Sequence, residues 1–479
     1  MNYKMIRYTL GWLLLFEAAF FLLPLVTGIV FRERESLSFL WALLITGGVG
    51  GAAVIKKPKT ATLYSRDGFV IVGLSWVALS IFGMLPFIFS GCTASVVDAF
   101  FETASGFTTT GATVFTDVEL LPRCILIWRS FTHWIGGMGV LVFIMAFLPL
   151  GGGRNINIMK AESPGPSVSK LVPKVRTTAL ILYILYFAMT LILFLLLLFG
   201  KNGFFTSINI AFSTAGTGGF GIKNDSLASF NTYSQIVVTV FMFLFSINFA
   251  SYYLALRARL KEALNTEVKV FILIVASAIL IITLDNLHNG IFTSLGESLK
   301  HAAFNVCSVI STTGFSSVNF NEWTNLSKTV LILIMFIGAC AGSTGGGIKV
   351  SRIIILAKGM LRELKMTVHP RQVKKISIDG RTLDHEVTRS VNSYIACFVS
   401  VFTVMVVALS LEETDLVTNF TAVLCTLNNV GVGLEGVGPS GSFAGFSPFS
   451  KLTLTLGMIA GRLELFPVLI LFSPSTYKK

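Results

Sequence analysis

Four stretches of this 479-residue chain set small polar residues beside a glycine. They read DAFFETASGFTTTGATVF (98–115), INIAFSTAGTGGFGI (208–222), AAFNVCSVISTTGFSSVNF (302–320) and FTAVLCTLNNVGVGLEGVG (420–438). Aligned on that glycine they give Thr109-Thr110-Gly111, Gly216-Thr217-Gly218, Thr312-Thr313-Gly314 and Asn429-Val430-Gly431, recurring at intervals of roughly one hundred residues. The chemistry such residues offer is coordination of a bare cation. Glycine allows positive φ and a close approach of backbone, so carbonyl oxygens can be aimed at one point. Rings of carbonyls replace an ion's hydration shell and offset a Born cost on the order of 20 kcal/mol for an ion in hydrocarbon. Thr, Ser and Asn at these positions, with no ring of Asp or Glu, point to a monovalent ion.

Such loops need a frame, and the composition states which. The chain is 53% hydrophobic and 13% charged, with a mean hydropathy of +0.77. A soluble domain carries roughly 25% charged residues, so a water-soluble globular protein and a disordered one are both excluded. Apolar runs long enough to span fall at 9–30, 37–55, 68–90, 126–149, 177–199, 234–256, 268–285, 329–356, 390–411 and 452–473. Each glycine stretch is too short to span and lies between two of these runs. The unit is helix, re-entrant loop, helix, four times over. Irregular backbone cannot face lipid, so the four loops are expected to meet around one axis. Their short helices would then point partly negative C-terminal ends inward. The expected fold is an all-α polytopic membrane protein of ten transmembrane helices. Two extra N-terminal helices (1–60) precede four helix–pore-loop–helix repeats (61–165, 166–262, 263–365 and 366–479) in pseudo-fourfold arrangement around a central ion pore. The third repeat has a broken second helix, and a basic cytoplasmic segment opens the fourth.

The 37 Lys+Arg residues outnumber 24 Asp+Glu, a formal charge of +13. Clusters at 56–66, 151–176 and 349–389 alternate with acid-richer segments such as 91–125. The positive-inside rule makes the basic segments cytoplasmic, and with ten spans both termini follow. The basic balance therefore implies no nucleic acid. VKKISIDGRTLD (373–384) reads either as a β-hairpin turning at Asp379-Gly380 or as a solvated basic loop. The six cysteines form no C-x-x-C pair, and no metal or redox motif is supported. Cys92 and Cys124 share the predicted external face, where a disulfide is open. The first apolar run has no small-residue cleavage site after it and is read as a retained helix. No nucleophile–base pair suggests an enzyme.

Several other motifs invite chemistry. GTGGFG (216–221) and GVGLEG (431–436) match a dinucleotide fingerprint but lack the preceding strand. GSTGGGIKVS (342–351) lacks the Gly-Lys-Ser/Thr ending of a phosphate loop. Its glycines instead interrupt an apolar span, which is either a close helix-packing face or a break forming a gate beneath the loops, built from Gly342, Ser343, Thr344, Gly345, Gly346, Gly347 and Lys349. Arg462 and Glu464 lie within the last span, where ionisable groups are costly. Two residues advance a helix by about 200°, so they do not pair with each other. Arg462 is expected to face the ion path or the 342–347 segment, or else to form a structural ion pair. Glu464 is expected to take another partner such as Lys349. Glu17 is read as snorkelling or capped, and Arg129 and His133 as interfacial.

Together SGFTTTGAT, STAGTGGFGI, STTGFSS and NNVGVGL, with GACAGSTGGGIKVSR (338–352) and AGRLELFPVLILF (460–472), resemble the Trk/Ktr/HKT superfamily of potassium transporters over essentially the whole chain. The two extra N-terminal spans make the bacterial TrkH/TrkG branch the most similar. The resemblance implies K+ uptake across the bacterial inner membrane through a carbonyl filter, with K+ preferred over Na+ because all four loops carry glycine. It also implies an intramembrane gate, a homodimer embedded in membrane lipid, and a cytosolic TrkA-like nucleotide-binding regulatory subunit. No covalent cofactor is expected, only K+ ions in the pore. Val432 departs from the proline usual after the fourth glycine, which predicts a softer loop. The alternative is a secondary transporter coupled to H+ or Na+ that uses the same broken-helix elements. Such transporters commonly carry inverted repeats, whereas each repeat here begins and ends inside.

Overall fold

The computed structural model describes residues 1–58, 65–139, 175–370 and 375–476. Within them the chain is a multi-pass helical membrane protein. Among the described residues six helices are long and apolar enough to cross a bilayer: Tyr3–Val30, Ser36–Val54, Arg66–Phe89, Thr177–Phe199, Thr266–His288 and His385–Leu409. The inner part of the expected 126–149 span, the basic run 151–174 and the expected boundaries at 61 and 165 lie outside the described residues.

The two N-terminal helices cross at glycines. A Cβ on Gly50 would come within 2.9 Å of Gly11 O, so the backbones touch, as small residues permit in membranes. This pair docks on the first repeat through Trp128, whose ring lies 4.7 Å from that of Phe21 and 5.9 Å from that of Phe107. Glu17 is fully buried beside Gly83. It neither snorkels nor sits at a helix end, which corrects the expectation drawn from its position alone.

Each repeat then offers a short helix directed into the protein: Val96–Phe107, Phe204–Ala215, Leu295–Ile310 and Leu416–Leu427. Three start on a side-chain cap, with Ser95, Ser294 and Asp415 accepting from the amides of Asp98, Glu297 and Thr418. Such caps satisfy the unpaired amides of a first turn.

The helices that follow are where sequence and structure part. The runs 234–256 and 452–473 read as continuous spans, yet both break. Thr232–Phe245 and Phe249–Leu256 meet at a 92° bend. Pro448–Arg462 ends before Phe466–Phe472, with Glu464 and Leu465 at positive φ. In the third repeat Asn325–Ile337 stops and Val350–Val368 begins beyond the glycine run. Hydropathy does not register these breaks because the freed backbone groups find partners inside the protein. The amide of Cys340 reaches Ser246 O over 3.1 Å, and Asn248 caps the half-helix that follows.

Two smaller readings also resolve. Ser377–Ile378 and Arg381–Thr382 pair as an antiparallel hairpin around Asp379-Gly380, both at positive φ, the geometry of a two-residue turn of primed type. All six cysteines are free, and Cys124 is buried, so the open Cys92–Cys124 disulfide is not formed.

Candidate functional site

All four short helices end in the same way. Each terminates at a cap residue (Thr108, Gly216, Ser311, Asn428) followed by a residue in the left-handed region: Thr109 (φ 55°), Thr217 (53°), Thr312 (60°) and Asn429 (56°). The next amide folds back onto the helix. Thr110 N reaches Ser105 O at 2.9 Å, Gly218 N reaches Ser213 O at 2.9 Å, Thr313 N reaches Ser308 O at 2.8 Å and Val430 N reaches Cys425 O at 2.7 Å. This is the Schellman closure, repeated four times. Threonine there costs about 1–2 kcal/mol relative to right-handed backbone, so the surrounding contacts hold it. One residue further, Gly111 (φ 83°), Gly219 (77°), Gly314 (81°) and Gly431 (81°) are again at positive φ. The second loop is thus shifted by one from the sequence alignment. Its matching triplet is Thr217-Gly218-Gly219, and Gly216 is the helix cap. Two adjacent glycines allowed either frame in the sequence, and the helix end selects one.

These glycines form a closed ring. A Cβ on Gly111 would lie 1.9 Å from Gly218 O; on Gly219, 1.9 Å from Thr313 O; on Gly314, 2.1 Å from Val430 O; and on Gly431, 2.1 Å from Thr110 O. Loop one abuts two, two abuts three, three abuts four and four abuts one. No side chain fits at any of the four positions. On the side of the residues that follow, a cavity of about 340 Å³ is lined by all four ring glycines with Thr113, Arg129, Lys223 and Ser316 among others.

On the other side lies the interrupted segment of repeat three. Gly338, Gly342, Gly347 and Lys349 are at positive φ. A Cβ on Gly345 would come 2.8 Å from Ser311 O, and one on Gly346 would come 2.5 Å from Asn428 O. The Gly346 amide donates to Thr312 Oγ1 at 2.6 Å. The segment therefore packs directly against loops three and four. Arg462 spans it: Nη1 donates to Thr344 O at 2.8 Å, and Nη2 donates to Gly136 O and Gly137 O at 2.7 and 2.8 Å. Lys349 Nζ donates to Gly345 O. Glu464 pairs with Arg352, not with Lys349, because the break at 463–465 redirects its side chain. Glu267 Oε1 accepts from Ala341 N at 2.8 Å and Ser351 N at 3.1 Å, one on each side of the glycine run.

Arg129 and His133 are not interfacial. Both are buried. Arg129 Nε pairs with Glu102 at 2.8 Å, its Nη1 reaches Gly221 O at 3.2 Å, and its guanidinium stacks 4.1 Å from the Phe220 ring. Glu102 also accepts from Thr113 Oγ1 and from Val114 N. Glu102, Arg352 and Glu267 carried no signal of their own in the sequence. The spacing of Arg129 and His133, four residues apart on one helix face, was the available hint.

Four short helices, each closed by a glycine turn, meet head-on at one ring inside a multi-pass membrane protein, with a broken helix packed beneath them. That architecture defines a membrane transport protein rather than an isolated bundle. The chain belongs to the TrkH family of cation transport proteins, whose profile matches residues 35–478. It is 33% identical to the Trk system potassium uptake protein TrkH of Salmonella typhimurium, over all of both chains. It is 32% identical to the TrkG protein of the same system in Escherichia coli K12, over 98% of each. The crystal structure of the potassium transporter TrkH from Vibrio parahaemolyticus superposes with a TM-score of 0.90 at 31% identity, covering all of both chains.

Proposed function

We propose that this chain takes up potassium through a pore whose filter is the four-glycine ring. The observation that carries the reading is the closed cycle of contacts from Gly111 through Gly219 and Gly314 to Gly431 and back. Each ring carbonyl (Thr110, Gly218, Thr313, Val430) belongs to a loop braced by its neighbour, so the oxygens are preorganised and need not rearrange around a dehydrated ion. The C-terminal ends of four helices add partial negative charge. The loop side chains of Thr109, Thr110, Thr312, Thr313 and Asn429 carry no formal charge, which suits a monovalent ion. The segment 342–347, with Lys349 and Arg462, serves as the gate, because two cations and a blocking backbone stand below the ring.

The chain sits in the bacterial inner membrane with both termini cytoplasmic, as the basic segments require. Its relatives' names denote a Trk system, and the basic cytoplasmic surface fits docking of a TrkA-like nucleotide-binding subunit on a homodimer. Expression in a strain lacking its own potassium uptake tests the function. Growth at low K+ is expected, and failure of a membrane-inserted chain to support it overturns the reading.

A further inference from the structure

One difference among the four filter loops concerns the room beside the ring. Ahead of the ring glycine, three loops carry a buried side chain: Thr110, Thr313 and Val430. The Thr110 hydroxyl bonds to Thr108 at 2.8 Å and accepts from Asn429 Nδ2 of the fourth loop at 2.9 Å, and the Thr313 hydroxyl bonds to Ser311 at 2.6 Å. The second loop has Gly218 there, followed at once by Gly219. Two adjacent glycines give a backbone the widest conformational choice, in the part of the site where position matters most.

The space beside Gly218 is nonetheless full. A Cβ on Gly218 would come 2.2 Å from His133 Nδ1 and 2.3 Å from its Cγ. His133 stands on the helix Arg123–Gly137 of the first repeat, with its ring wholly buried. Nδ1 is 2.8 Å from Gly106 O in the last turn of the helix Val96–Phe107, and Nε2 is 3.2 Å from the amide of Phe220 in loop two. The Phe220 N–H can only donate, so Nε2 presents its lone pair and Nδ1 donates to Gly106 O. The imidazole is the neutral Nδ1–H tautomer, bridging the end of the first short helix and the second loop. Its face lies 4.3 Å from the Phe220 ring.

We propose that His133 supplies, from a neighbouring repeat, the side chain that the second filter loop lacks, and thereby sets the Gly218–Gly219 backbone for K+ over Na+. His133 is a positioning residue: it acts through the loop and does not reach the ion. The inference rests on the ring being the filter, as proposed above.

A side-chain exchange tests it. K+/Na+ permeability ratios are measured from reversal potentials in proteoliposomes for the unaltered chain, His133→Ala, Gly218→Ser and the double variant. His133→Ala is expected to lower the ratio several-fold, because the Phe220 amide loses its acceptor and the Gly218–Gly219 backbone gains room to move. Gly218→Ser alone is expected to fail through collision with the imidazole. The double variant, with room made and a side chain returned, is expected to regain most of the ratio. An unchanged ratio in His133→Ala, or a double variant no better than His133→Ala, overturns the proposal. Should the alanine variant not accumulate, His133→Leu keeps bulk and removes the acceptor for Phe220. Its ratio is expected to fall between zero selectivity and that of the unaltered chain, and a value equal to the latter counts against the proposal. Absence of K+ preference in the unaltered chain would instead overturn the filter reading itself.

Discussion

Arg462 Nη1 lies 2.8 Å from the carbonyl oxygen of Thr344, in the middle of the interrupted segment of the third repeat. One guanidinium thereby fastens that segment to the carbonyl end of the helix Arg123–Gly137, through Gly136 and Gly137. Removing it frees the segment and deletes a cation from below the ring. Arg462→Ala is expected to raise K+ flux several-fold in proteoliposomes, and deletion of residues 342–347 to raise it further. Lysine cannot reach three carbonyls with one planar group, so Arg462→Lys is expected to give an intermediate flux. Lowered flux in a fully inserted Arg462→Ala protein contradicts the gate.

The shifted frame of the second loop gives a sharp contrast between glycines. Gly219 is at φ 77° with a Cβ position 1.9 Å from Thr313 O, whereas nothing lies within 4 Å of a Cβ on Gly203. Gly219→Ala is expected to abolish K+-dependent growth rescue, and Gly203→Ala to leave it intact. Equal tolerance of both would place the ring elsewhere.

The Glu102–Arg129 pair is buried on both sides and bonded to Thr113, Val114 and Gly221. Breaking a buried pair from one side leaves an uncompensated charge, at a cost of about 3–5 kcal/mol. Glu102→Gln is therefore expected to lower the thermal unfolding midpoint in detergent. A Glu102→Gln protein with the original midpoint would show that the pair contributes nothing.

Asp415 caps the fourth short helix, and its hydrogen bonds from the Thr418 side chain and amide hold its carboxyl below the ordinary value. A lowered folded-state value contributes stability that is complete above the unfolded carboxylate range, near pH 4, and is lost as the pH falls through the folded value. Asp415→Ala is expected to cost about 1 kcal/mol at neutral pH. Asp415→Asn is expected to keep the cap and remove this group's share of the acid sensitivity. Thermal melts between about pH 3 and 7 check this: the unaltered chain should lose this group's contribution on acidification while neither variant does, and an identical pH dependence in all three contradicts it.

Much of this architecture could be read from residue order, because its causes are local. Glycine turns, apolar runs and the Gly345-Gly346-Gly347 interruption each leave a mark within a few residues. What escaped is set by distant partners. The breaks at 246–248 and 463–465 depend on carbonyls and amides meeting other repeats, as Ser246 O meets Cys340 N. The second loop's frame depends on where its helix stops, which Gly216, Gly218 and Gly219 left open. Arg129 and His133 looked interfacial because a charged or polar residue at the start of a span usually is. Their burial follows from Glu102 and Gly106, which lie in the preceding loop helix.

The convergence of the four loops on one ion path is tested most directly by anomalous scattering from Rb+ or Tl+ soaked into crystals of the protein. Density is expected on the axis enclosed by Gly111, Gly219, Gly314 and Gly431, beside the carbonyls of Thr110, Gly218, Thr313 and Val430. Ordered ions bound elsewhere, with that axis empty at saturating Rb+, would contradict it.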